Sequence, residues 1–166
     1  MKWIAIAGGW RKTNNAVEVD IRNVLREIIS HGDGIVSGGA LGVDYIATDE
    51  ALKEGCDSNK LKIFIPSTLE AYKNHYLNRA EEGVITNEQA ELLINQLEKV
   101  KNRGALIEGR HEILNKESYF DRITEIIKNS DELVAFHINK TEGTQDTINK
   151  AQAKGISVKV YNYSID

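Results

Sequence analysis

The stretch Gly34-Ile35-Val36-Ser37-Gly38-Gly39-Ala40-Leu41-Gly42-Val43-Asp44 runs from a short apolar segment, through closely spaced glycines, into residues that read as the start of a helix. Glycines between a strand and a helix let the backbone approach a ligand closely and aim free N–H groups at an anion. A phosphate-bearing ligand is therefore the first hypothesis. The spacing approximates G-x-G-x-x-G, with Ser37 at the first glycine position and Gly39 and Gly42 at the other two. No Lys-Ser or Lys-Thr pair follows Gly42, so the segment is not a P-loop. Taken alone, the cluster reads equally well as a tight turn.

Outward from this stretch the chain alternates strand and helix. Trp3 to Ala7 is a continuous apolar run ended by Gly8-Gly9, as in a strand buried on both faces. Val17, Ile21, Val24, Leu25, Ile28 and Ile29 then recur at helical spacing, with Gly32 as the stop. A second strand, Gly34 to Val36, leads to a helix from Val43 to Glu54, and a third, Leu61 to Ile65, is closed by Pro66. Residues 67–115 break the alternation with two helices, Leu69 to Ala80 and Glu88 to Lys101, the second opened by the capping box Thr86-x-x-Gln89. This insertion is expected to form a lid or wall beside the site. Alternation resumes with a helix carrying Tyr119, Ile123, Ile126 and Ile127 on one face, and a fourth strand, Glu132 to His137. A loop over Ile138 to Glu142 opens a helix at Gly143-Thr144 that stops at Gly155, and Ile156 to Tyr161 is the last strand. The pattern calls for an α/β fold, a parallel sheet wound on both faces, in a single domain over residues 1–166.

Bulk properties narrow the function. The chain has 166 residues, 41% hydrophobic, enough for one buried core. Its charge of -4, from 21 basic and 25 acidic residues, supplies no cationic excess to release counterions from a nucleic-acid backbone, so a nucleic-acid partner is disfavoured. One cysteine, Cys56, precludes an internal disulfide, and Met1 to Ala7 reaches glycine too soon for a secretory segment. A cytoplasmic location without membrane contact is the expectation. His31, His75, His111 and His137 form no metal-ligand spacing, and no G-x-S-x-G elbow occurs, so neither a metal nor a cofactor is read from the chain.

In such sheets ligands bind beyond the carboxyl ends of the strands, where strand order reverses. Three loops fall there: Gly8 to Asn14, Ser37 to Asp44, and Asn139 to Thr144. Their coincidence favours one phosphate-binding crevice lined by Gly8, Gly9, Arg11, Ser37, Gly38, Gly39, Gly42, Asp44, Arg122, Gly143 and Thr144. Gly143 and Thr144 would offer amides and a hydroxyl at a helix N-terminus. Thr144 reads alternatively as an N-cap, Asp44 as a carboxylate placed by the helix dipole, and Arg122 as a solvent-facing side chain. Tyr72, His75, Tyr76 and Arg79 share a helical face that would either stack a base or pack against a neighbour.

The ordered set Ile6-Ala7-Gly8-Gly9, Val36 to Asp44, Tyr119-x-x-Arg122, Asp131 to Phe136 and Glu142-Gly143-Thr144-x-x-Thr147-Ile148 resembles the SLOG superfamily, which joins DprA/Smf and the Lonely Guy proteins. The resemblance implies a Rossmann-like doubly wound sheet, with the helical insertion around 67–115, and a nucleotide or nucleotide-derived ligand whose phosphate sits in the second and third loops. The leading reading is nucleotide binding, as in a sensor. An alternative is hydrolysis or transfer at the N-glycosidic bond of a nucleoside monophosphate, with Asp44, Glu117 and Asp146 as candidate carboxylates. Lonely Guy enzymes carry a catalytic glutamate where this chain has Thr147, which leaves the enzyme question open. Wording at Gly39 to Asp44 is similar to DprA, and so implies single-stranded DNA binding as a further alternative. A homodimer is also left open.

Overall fold

The computed structural model describes residues 1–166. The continuous apolar runs become parallel strands because each buries both faces. Strands β1 (Trp3–Gly8), β2 (Gly34–Gly38), β3 (Leu61–Ile65), β4 (Leu106–Glu108), β5 (Glu132–Ile138) and β6 (Ser157–Tyr163) form one sheet in the order β4-β3-β2-β1-β5-β6. Every neighbouring pair is parallel. Chain order reverses between β1 and β5, which makes their carboxyl ends the topological switch point.

Six helices cover the sheet. Helices α1 (Asn15–Ser30), α2 (Val43–Lys53), α3 (Leu69–Glu81) and α4 (Asn87–Asn102) pack together on one face, over a core that includes Ile4, Ile6, Ile35, Ile63 and Leu97. Helices α5 (Lys116–Lys128) and α6 (Glu142–Lys154) cover the other, over Ala5, Val36, Leu133 and Ala135. Strand residues alternate between the two cores, as a period of two requires. The Asn14 side chain caps α1 by accepting from Val17 N at 2.9 Å, and Thr86 and Gln89 close the expected capping box on α4. No helix is long and apolar enough to cross a membrane.

Helices α1 and α2 are also pinned through charge. Glu50 is buried, yet Arg22 and Arg26 each reach it at 3.2 Å. Burial pushes its carboxyl up, but the two arginine hydrogen bonds outweigh that and hold it below the ordinary glutamate range. Removing both arginines would leave an uncompensated buried charge.

The structure corrects the expected organisation in one element and several bounds. Residues 67–115 contain both expected helices but also β4, so this segment is an extended crossover that adds an edge strand rather than an insertion outside the sheet. Only Leu106 and Ile107 are apolar in that strand, too few for a period to register. Ile138 belongs to β5 and Glu142 to α6, which shortens the third loop to Asn139, Lys140 and the capping residue Thr141. The last strand extends to Tyr163.

Candidate functional site

The first two loops form a single wall. Gly42 adopts φ +80, and a β-carbon there would run into the Gly9 carbonyl oxygen and stand 2.5 Å from Arg11 N. Only glycine combines that dihedral with that approach. Val43 N, the first amide of α2, donates to Gly9 O at 3.1 Å and ties the loops together. Gly8 is closed in by Phe136 O and Val43, and Gly39 by Ile65 and Leu97, so protein packing already accounts for the small size of both. Ser37 is fully buried, its hydroxyl 2.9 Å from Ile6 O and 3.1 Å from Asp44 Oδ1, and so supports the site from beneath. The amides of Gly39 and Leu41 find no protein acceptor.

Below this wall lies a polar cluster. A β-carbon built on Gly38 would stand 2.8 Å from both Asp44 Oδ2 and Arg122 Nη1, so the missing side chain leaves room for two opposite charges to converge without closing into an ion pair. Arg122, half-buried on α5, has Nε and Nη1 enclosed with no hydrogen-bond partner, and its guanidinium lies 5.4 Å from the Tyr119 ring centroid. Tyr72 and Tyr76 are buried edge to face, with hydroxyls 3.3 Å apart, and the Tyr119 hydroxyl is 3.3 Å from His75 Nε2. Burial holds all three tyrosines above the ordinary phenol range, so at neutral pH they remain uncharged donors. Burial, helped by Arg79, lowers His75.

Asp44 is the titratable group at the centre. Burial raises its pKa, while Arg122, the Ser37 hydroxyl and the Ala40 amide oppose that rise, and the balance lies at about 6. The helix-dipole position read from sequence holds, since Asp44 occupies the first turn of α2, but its side chain points into the cluster.

The remaining expected residues fall elsewhere. Arg11 lies over the Trp10 ring at 4.6 Å and donates to Val84 O, which engages its guanidinium within the protein. Thr144 is not the N-cap of α6; Thr141 holds that place and its hydroxyl donates to Thr144 Oγ1 at 3.0 Å. Thr144 is buried, whereas Gly143 is exposed, with nothing within 4 Å of the place a β-carbon would take. Asn139 and Lys140 line a separate hollow of about 440 Å³ with His137 and residues 162–164. Of the three candidate carboxylates, Glu117 is exposed on the first turn of α5 and Asp146 pairs with Lys150 at 2.7 Å, which leaves Asp44 alone beside Arg122. The Thr147 hydroxyl donates to Gly143 O at 3.0 Å and is bound back into its helix.

Arg122 also lines a hollow of about 600 Å³ between α5 and the β3–β4 edge, together with Phe64, Pro66, Ile107 and Arg110. Of the two readings of the aromatic face on α3, the structure shows the packing one: Tyr72 and Tyr76 are buried against the core, where they also lie close to Arg122. Sequence reasoning missed that Tyr72, Tyr76 and Tyr119 meet. The i, i+4 spacing of the first two was the available signal, but the third lies on a helix far along the chain.

The model of the family described as DNA recombination-mediator protein A matches residues 1–166. Among solved structures, the fold is similar to DNA processing protein A from Helicobacter pylori, described for its single-stranded DNA binding mode, with 23% identity, a TM-score of 0.71, and coverage of 96% of this chain and 64% of that one. The chain thus spans less than two thirds of that relative. It is also similar to a molybdenum cofactor binding protein from Rippkaea orientalis, at 14% identity and TM-score 0.61, covering 97% of this chain and 76% of that one. The Moco carrier protein from Chlamydomonas reinhardtii aligns at 19% identity and TM-score 0.58, covering 98% and 76%. No curated protein matches the sequence.

Proposed function

Starting from the fact that the chain belongs to the DNA recombination-mediator protein A family, we propose that it binds a phosphate-bearing nucleotide at the carboxyl edge of the sheet, with the phosphate drawn to Arg122 and to the amides of the second loop. The observation that carries this reading is the Arg122 guanidinium, with two enclosed nitrogens that no protein group satisfies. A buried, unsatisfied charged donor costs more than the roughly 1–3 kcal/mol of a neutral one, and an arriving anion recovers that cost. Arginine suits the task because its planar fork meets phosphate oxygens in pairs. Gly38 keeps the space beside it clear, and the uncharged tyrosine hydroxyls supply donors without competing charge.

Thermal-shift and calorimetric titration with the four nucleoside 5′-monophosphates tests the reading. Binding should stabilise the wild type, and Arg122→Met should abolish that shift without lowering the melting temperature of the free protein. Folded wild-type protein that none of the nucleotides stabilises would count against the site.

A second reading, single-stranded DNA, is favoured by the family itself and by Lys12, Arg110 and Lys140, exposed cations on the edge loops that pair with no carboxylate. The overall charge of -4 speaks against broad electrostatic attraction, but not against a local track on that edge. An oligothymidylate that binds more tightly than the monophosphate, with log K falling against log salt by about 0.7 per phosphate contacted, would make the strand the ligand.

A further inference from the structure

We propose that Trp10 is the stacking platform for the base of the bound nucleotide, an inference that rests on the nucleotide reading above. Trp10 is the only exposed aromatic residue in the chain, at 40% of its full surface. Its loop is nevertheless held on every side. The backbone of Gly9, Trp10 and Arg11 presses on Gly42, Val43 N donates to Gly9 O, and the Arg11 side chain anchors to Val84 O on the turn after α3. Its own side chain lies close to Tyr76, which belongs to the cluster around Arg122. The Arg11 guanidinium covers one face of the ring at 4.6 Å.

This arrangement presents a large apolar surface to water beside Tyr76, which in turn neighbours the unsatisfied Arg122 cation. A flexible exposed tryptophan would give up much of its stacking energy to ordering, but here the backbone that carries Trp10 is already anchored and Arg11 lies over its ring. A base laid on the indole completes a stack of guanidinium, indole and base, with the phosphate end directed to Arg122. Arg11, expected from sequence to touch phosphate, acts instead as the brace of the platform.

The test uses the full chain carrying Trp3→Phe, which leaves Trp10 as the sole tryptophan, titrated with AMP and with ribose 5-phosphate, which shares the phosphate and sugar but lacks the base. AMP should quench Trp10 emission and ribose 5-phosphate should not, while both bind by calorimetry. In the otherwise wild-type chain, Trp10→Ala should weaken AMP by roughly 5- to 150-fold, the range base–aromatic stacking supplies, and leave ribose 5-phosphate unchanged. Trp10→Tyr should restore most of the loss and guards against a folding defect in the alanine variant. Equal AMP affinity in wild type and Trp10→Ala, with ribose 5-phosphate still bound, overturns this inference alone. Failure of both ligands to bind the wild type overturns it together with the nucleotide site.

Discussion

The second and third loops look alike in sequence, each a glycine-bearing link from a buried strand into a helix, but the structure uses their glycines in opposite ways. At Gly38 and Gly42 a single added carbon would collide with Asp44, Arg122 or the first loop's backbone, whereas at Gly143 it would meet nothing within 4 Å. The second loop is therefore an internal joint that brings charges and loops together, and the third is an open helix end. A glycine motif reports that the backbone must come close to something. Whether that something is protein or ligand depends on residues far away in the chain, here Arg122 and Gly9.

The sharpest way to break this contrast is Gly42→Ala. Both the left-handed backbone and the lack of space oppose the methyl group, and strain plus overpacking should cost about 3–5 kcal/mol in denaturant unfolding. A loss below about 1 kcal/mol would mean that the first two loops move apart easily and do not form one wall.

A smaller effect comes from the carboxylate that the second loop buries. Asp44 titrates at about 6 in the folded chain, against 3.8 as its unperturbed value. The folded state therefore holds this proton more tightly than the unfolded state, and stability falls as pH rises between about 4 and 6, on the order of 2–3 kcal/mol for the whole step. The penalty is absent below the unfolded pKa and complete above the folded one. Unfolding free energies measured across that window should show the decline, and Asp44→Asn should remove this part of it. An unchanged slope in the variant would assign the pH dependence to other groups.

Much of this was readable before the structure. The apolar runs at Trp3, Gly34, Leu61 and Glu132 and the helical periods between them specify a doubly wound sheet, because burial on both faces leaves continuous apolar stretches that polar loops interrupt. β4 escaped because its three residues carry too little pattern, and its place at the sheet edge is decided by pairing with β3. Within the site, the approach of Asp44 to Arg122 was foreseen only as membership of one crevice. That Tyr72, Tyr76 and Tyr119 enclose the arginine depends on how α3 and α5 cross the carboxyl edge, which no local spacing encodes.

Gly38→Ala separates function from folding within the second loop. The clash is with the ends of two side chains rather than with backbone, so the cost should be about 1–3 kcal/mol as Asp44 and Arg122 shift aside. Nucleotide binding should nevertheless be lost, because the guanidinium leaves the position that its two unpartnered nitrogens define. Full binding in this variant would show that the phosphate does not depend on Arg122 as placed here.

The mildest substitution sharpens the other side of the comparison. Gly143 lies in the first turn of α6 in ordinary helical conformation, with open space around it, so Gly143→Ala should raise stability by about 0.4–1 kcal/mol through the reduced freedom of the unfolded chain. With the phosphate held at Arg122 and the second loop, AMP affinity should stay as in the wild type. A ligand resting directly on the α6 N-terminus would meet the new methyl group. The combination of higher melting temperature and weaker AMP binding would therefore move the phosphate from the second loop to the third, and would make the open helix end, rather than the crowded joint, the place where the anion sits.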